Sequence, residues 1–255
     1  MLSGVHFQAL PNIPEISPGD DLAAIIGQAL RDADLILEDT SVLVVAQKVV
    51  SKAEGRLVDL ARVTPTPRAT ELARLTGKDS RLVELVLEES SDVLRAVPGV
   101  MIVRHRLGYV MANAGIDQSN LPDNTSGQHA LLLPRDPAAS ARALSAGLET
   151  RQGTHPGIII SDSFGRPWRN GVVNVALASA GVPALIDQRS GTDRHGRTLH
   201  NTLIAHADAI AAGAALVMGE AGEGMPVAVV SGLSWSDTVV DASALIRPLE
   251  SDLFQ

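Results

Sequence analysis

Two acids stand where apolar runs give way to polar turns. Asp162 follows Gly157-Ile158-Ile159-Ile160-Ser161 and is followed by Ser163, Phe164 and Gly165, then by Arg166 and Arg169. Asp117 closes the stretch from Tyr109 to Ile116 and is trailed by Gln118, Ser119 and Asn120. A short apolar run that delivers an acid and a hydroxyl into an arginine-bearing turn is how a buried strand presents polar chemistry. Where the two acids converge, hard oxygen ligands sit beside guanidinium donors, an arrangement that holds a divalent cation and a phosphate chain together. Each local pattern also has a plainer reading. An acid after a strand caps the next turn, and Asp117 with Asn113, Gly115 and Asn120 makes a hydrogen-bonded loop.

Further candidates lie elsewhere in the chain. Glu220 and Glu223 occupy the glycine-rich loop Met218-Gly219-Glu220-Ala221-Gly222-Glu223-Gly224, either an exposed turn or the completion of a two-ion site. Lys48 and Lys52 are four residues apart and supply point charge for phosphate, although the same pair on a surface helix would face solvent. His195, His200 and His206 match no familiar zinc spacing, and neither a G-x-G-x-x-G fingerprint nor a G-x-x-x-x-G-K-[ST] loop occurs. A bound nucleotide must be held another way.

The elements that position these residues follow from periodicity and breakers. Asp20 or Asp21 caps a helix whose apolar stripe is Leu22, Ile25, Ile26, Ala29 and Leu30. Residues 41–46 form a buried strand. After Pro65 and Pro67 a helix runs from about Ala69 to Leu75. A longer one follows, with Leu82, Leu85, Val86, Val93 and Leu94 on one stripe, ended by Pro98-Gly99. Strands are expected at 100–103, 109–112, 157–161 and 226–232. Between them lie a flexible excursion at 125–128, an alanine-rich helix that Pro134-Arg135-Asp136-Pro137 leads into and that ends near Gly147, a weakly patterned stretch through Val182 and a helix over 200–215. Strands and helices mix without a regular βαβ repeat, so the expected class is α+β or irregular mixed α/β, not a Rossmann sheet or TIM barrel.

Composition sets outer limits. The 255 residues are 45% hydrophobic, enough for one large core or two smaller ones. Cysteine is absent, which excludes disulfides, thiolate zinc sites and cysteine nucleophiles. A net charge of -8 and aromatic content of 2% argue against nucleic-acid binding, while the arginines near 166–169 and 189–197 suit a small anionic ligand. No apolar run reaches membrane-spanning length and the first residues carry no secretory pattern, so the cytoplasm is the expected location, without a membrane partner.

The chain resembles the coenzyme F420-0:L-glutamate ligase family, also called F420:gamma-glutamyl ligase. The resemblance runs through Leu10-Pro11-Asn12-Ile13, Pro18 to Leu22, Ser51 to Arg56, Asn113 to Asn120, Leu133 to Pro137, Ser161 to Gly171 and Met218 to Gly224. It implies one catalytic unit over residues 1–255, with room for two intertwined subdomains of open boundaries. It further implies GTP as co-substrate, two divalent ions (magnesium or manganese), scope for a monovalent cation, and a homodimer acting on F420-0 and L-glutamate. Transferred by position, Asp117, Asp162, Ser163 and Glu220 look like metal ligands, with Ser163 standing where the family commonly has threonine. Leu10, Pro11, Asn12, Ile13, Thr40, Ser41, Lys52 and Asn120 resemble GTP contacts, and the loop acids Glu220 and Glu223 are grouped with them. Asp117 and Asp162, with Arg166 and Arg169 orienting an acid substrate, form the expected catalytic set. The implied reaction passes through an acyl phosphate and adds one or more gamma-linked glutamates. A folate-like or other acceptor, and a non-catalytic nucleotide-binding module, remain as alternatives.

Overall fold

The computed structural model describes residues 4–119, 128–189, 191–235 and 238–252. The apolar runs become the strands of a central sheet. In chain order, β1 (His6–Ala9), α1 (Leu22–Asp32), β2 (Val42–Ala46) and α2 (Gln47–Ala53) come first. A smaller unit follows, formed by β3 (Leu57–Asp59), α3 (Pro67–Thr76), α4 (Ser80–Glu88), β4 (Ser90–Val97), β5 (Val100–His105), β6 (Val110–Ala112) and β7 (His129–Leu131). The chain returns through α5 (Pro137–Gln152), β8 (Gly157–Arg166), β9 (Arg169–Ala180), β10 (Leu185–Asp187), β11 (Leu203–Ala205), α6 (His206–Met218) and β12 (Val227–Ser231).

The central sheet has the order β1-β12-β2-β8-β9, in which β2 and β8 are parallel and every other pair is antiparallel. Side chains alternate between its faces. Leu43, Val45, Ile158, Ile160 and Val227 pack toward α1 and α5, while Val42, Val44, Ile159, Ala228 and Val230 pack toward α6. With both faces covered, the strands need unbroken apolar runs rather than alternation, and Val42 to Val45 are all fully buried. Each such side chain contributes roughly 1.5–3 kcal/mol of transfer free energy.

Asp21 caps α1 by accepting the Ala24 N–H, while Asp20 instead accepts that of Ser17. The expected end of the alanine-rich helix at Gly147 is corrected: α5 continues to Gln152 and stops at Gly153. Gly147 serves packing instead. A Cβ there would meet the Ala23 Cβ at 2.6 Å, so its bare backbone lets α1 and α5 touch.

The helix expected to run through Val93 and Leu94 is also corrected. It ends at Glu88, and residues 90–97 pair with β5 as an antiparallel hairpin across Pro98-Gly99. Val93 and Leu94 continue the helical spacing of the preceding stripe, and pairing with β5 overrides it. The weakly patterned stretch before Val182 contains β9, a twelve-residue strand. Residues 203–205 are strand before α6 begins at His206. The excursion expected at 125–128 lies outside the described residues except for Gln128.

The smaller unit has its own cores, one around Leu72, Val83, Val86, Met101 and Val103, the other around Leu60, Leu85, Ala130 and Leu132. Arg56 ties it to the segment that leads into α5, donating from Nε to the Leu133 carbonyl at 2.8 Å and pairing with buried Glu89 at 2.8 Å. The Tyr109 hydroxyl donates to the Leu177 carbonyl at 2.7 Å, and burial pushes its phenol up to about 12, so it remains a donor. The architecture is mixed α+β, neither a Rossmann sheet nor a TIM barrel. No helix among the described residues is long and apolar enough to cross a membrane.

Candidate active site

Because β2 and β8 run parallel, their carboxyl ends emerge together, with Ala46 registered against Ser161. This edge of a sheet is a common ligand position. The loop after β1 and the loop before β12 reach the same edge, since Ala9 pairs with Ala228 and the Ala46 N–H donates to Pro226. Four separate segments therefore surround an open cavity of about 320 Å³. Gln47, Lys48 and Lys52 come from α2, Ser161 to Ser163 from β8, Ile13 to Ile16 from the first loop, and residues 219–225 from the last. Asn174, registered against Ser163 on β9, adds an amide.

Asp162 and Ser163 also line a neighbouring cleft of about 170 Å³, together with Gln47 and Asp117. The two acids thus share one recess. Asp117 forms an ion pair with Lys48 and accepts hydrogen bonds from the Ser119 N–H at 2.7 Å and hydroxyl at 2.9 Å. Burial opposes its charge, but these partners hold its carboxyl below the usual range. Asp162 behaves oppositely. Burial pushes it up to about 7, and the Asp117 and Glu220 carboxylates push the same way, against the Ser163 N–H and Lys48. The Ser161 hydroxyl, 2% exposed, has no hydrogen-bond partner among the described residues.

The remaining candidates divide. Lys52 lies in the cavity wall, 2.6 Å from Glu15 across its mouth. Ile13 reaches the cavity, whereas Leu10 is core, and Pro11 and exposed Asn12 form the turn between them. Glu220 and Glu223 are exposed on the last loop, where Glu223 accepts the Ala221 N–H at 2.8 Å. Gly219 adopts φ 76, and a side chain there would strike the Glu223 carboxylate. Asn120 lies outside the described residues.

Thr40 and Ser41 are not brought to this site. They precede β2, so the strand places them roughly 20 Å from its carboxyl end, where buried Ser41 accepts the Glu38 N–H at 2.9 Å. Gln47 and Lys48 occupy the cavity end of that strand. Arg166 and Arg169 are registered against each other at the hairpin tip and line neither recess. Among the described residues no three acids or histidines form a group able to hold a metal alone. Sequence reasoning missed Gln47, Glu15, Ser161 and Asn174. For Gln47 the available signal was its position immediately after a buried strand, the logic that identified Asp162.

Residues 11–232 match the family described as F420-0:Gamma-glutamyl ligase. The chain belongs to that family. It is 40% identical over 254 residues to the coenzyme F420:L-glutamate ligase of Methanothermobacter thermautotrophicus, covering 99% of each chain. It is 41% identical over 258 residues to the protein of the same name from Methanopyrus kandleri, covering 100% of this chain and 99% of that one. A third relative of that name, from Halobacterium salinarum, is 44% identical over 239 residues, 91% of this chain and 89% of that one. This family member carries its cavity at the carboxyl end of the sheet's parallel pair.

Proposed function

We propose that this chain joins L-glutamate to the terminal carboxylate of F420-0, using GTP to activate that carboxylate and releasing GDP and phosphate. Family membership supports the reaction class. The observation that carries the mechanistic reading is the meeting of Lys48, Lys52, Asp162 and Ser163 on one recess with an excess of acid.

A carboxylate resists direct attack by an amine because it is anionic and resonance-stabilised. In the proposed sequence an acceptor oxygen bonds to the γ-phosphorus of GTP as GDP leaves, giving an acyl phosphate. The neutral glutamate amine then attacks the acyl carbon, loses a proton, and phosphate departs. Lys52 and Lys48 would offset phosphate charge, each exchanging a protein carboxylate for a ligand oxygen. The cavity walls would keep water from the activated carbonyl.

Asp162, Asp117, Ser163 and Glu220 are the residues that would hold a divalent cation. The donor set fits an ion bound by one or two carboxylates and completed by phosphate oxygens, the habit of magnesium, rather than an all-protein cage. The elevated Asp162 and the Ser161 hydroxyl, unpartnered among the described residues, support a reading of this place as short of positive charge. A bound cation supplies Lewis-acid stabilisation of the transferring phosphoryl group. Two ions, a monovalent cation and a homodimer belong to the same reading, and the exposed hairpin tip at Trp168 and Arg169 is accessible to a second copy.

Purified protein supplied with F420-0, glutamate, GTP and magnesium or manganese should give GDP and a product heavier by one glutamyl residue, with further equal increments if the tail extends. Nucleotide turnover only with another carboxylate acceptor would reject F420-0 as the substrate. GTP binding without turnover on any acceptor would reject the enzyme reading.

A further inference from the structure

A larger recess, about 550 Å³, lies between the smaller unit, the distal half of the β8–β9 hairpin and the turns over residues 242–252. Its volume falls in the range of small-molecule sites. The chain has one tyrosine and three phenylalanines, and Tyr109 and Phe164 both line this recess, their rings edge to face at 6.3 Å. In a molecule whose other cores are almost wholly aliphatic, that concentration selects a flat, apolar body. Leu94 and Val110 extend the apolar wall, while Arg104 and exposed Arg247 add guanidinium groups. Arg104 stands 3.7 Å from Asp252, and the Asp208 carboxylate is occupied by the Ala176 N–H at 2.8 Å.

Phe164 also lines the cleft that contains Asp117, Asp162 and Ser163. It lies two residues beyond Asp162 on the same strand face, roughly 7 Å along. The geometry points to this recess as the binding site for the ring portion of the carboxylate acceptor, a flat aromatic body with an anionic tail. The tail passes Phe164 and brings its carboxylate to Asp162 and Ser163. This assignment rests on the ligase reading above and adds where acceptor selectivity resides.

Leu94→Trp and Val110→Trp test it. Both positions are partly exposed, at 47% and 43%, so an added indole fills the recess rather than the core. Three sets of measurements are made on each variant: F420-0 dissociation in the absence of GTP, the KM values for F420-0 and GTP with kcat, and the mass in solution with the melting temperature. The expected result is acceptor binding weakened by about tenfold or more, with GTP KM and kcat within about twofold of wild type. Arg247→Ala should weaken acceptor binding by about threefold, more at low salt than at high.

Unchanged acceptor affinity in both tryptophan variants overturns the site while leaving the ligase reading intact. A change of oligomeric state without a change in acceptor affinity also overturns it, making this face a contact between copies. Wild-type protein that binds F420-0 without turnover, and loses that binding in the variants, upholds the site and rejects the reaction. Absence of both binding and turnover rejects both.

Discussion

Glu89 is a buried acid and Asp162 a half-buried one, and their surroundings drive them apart. Glu89 is 5% exposed and sits among Arg56 at 2.8 Å, Arg106 at 3.0 Å and His105 at 3.5 Å. His105 accepts the Leu107 N–H at Nδ1, so its proton is on Nε2, facing Glu89. Burial opposes the Glu89 charge, yet these donors win and its carboxyl lies below the usual range. Asp162 is raised to about 7 because burial dominates and its acidic neighbours reinforce it, against the Ser163 N–H and Lys48. A buried charge with its partners supplied is architecture. One left short of positive charge is a candidate functional site, and at Asp162 it is what the proposed cation would compensate.

The largest effect should come from removing the under-compensated acid. Asp162→Asn should reduce ligation at least about a hundredfold, more than is typical of groups acting through a metal ligand. In the absence of divalent cation it should not lower stability. The sign follows from the elevated carboxyl: the folded state disfavours ionisation, so Asp162 costs stability as pH rises from 3.8 through about 7. The variant should therefore match or exceed wild type in denaturant near about pH 8. Wild-type turnover under saturating magnesium would end the assignment.

Glu89→Ala should do the reverse. It leaves Arg56 buried without its counter-charge, costing about 3–5 kcal/mol in urea unfolding, and any variant that stays folded should retain kcat. Loss of activity without loss of stability would mean that the two acids are not as different as their surroundings indicate.

This contrast also explains what was legible in the chain. Asp162 could be found because a run of three isoleucines announces a buried strand, and the polar residues after such a strand lie at the sheet's edge. Arg56 and Glu89 could not, since 33 residues separate them and neither interrupts a hydrophobic pattern. Thr40 and Ser41, which the resemblance placed among the GTP contacts, lie at the opposite end of β2 from the cavity, a separation that spacing along the chain did not announce. The split of Leu82 to Leu94 into helix and strand was hidden for another reason. Val93 and Leu94 continue the helical spacing of Leu82, Leu85 and Val86, and only pairing with β5, a tertiary event, makes them strand.

A smaller effect should appear in the pH dependence of stability. Because the folded-state carboxyl of Glu89 is held below its ordinary 4.5, its contribution is present above that value and is lost as pH falls through the folded one. Glu89→Gln keeps the side-chain shape without the charge. The stability gap between wild type and this variant should be widest near about pH 7 and should close steadily below about pH 4. A gap independent of pH would assign the role of Glu89 to packing.

The smallest effect belongs to a third acid that, by its titration alone, resembles Glu89. Asp187 makes a two-pronged contact with Arg189, 2.9 Å and 2.5 Å, and is lowered to about 2. Both partners face solvent, where water competes for each charge and salt screens what remains. The same titration shift therefore carries a different meaning: at Glu89 it records a charge with no access to water, and at Asp187 a contact that water can replace. Asp187→Asn should leave the melting temperature within measurement error of wild type, at low and high salt alike. A clear loss would show that this arm, between β10 and β11, is fixed by its surface pairing.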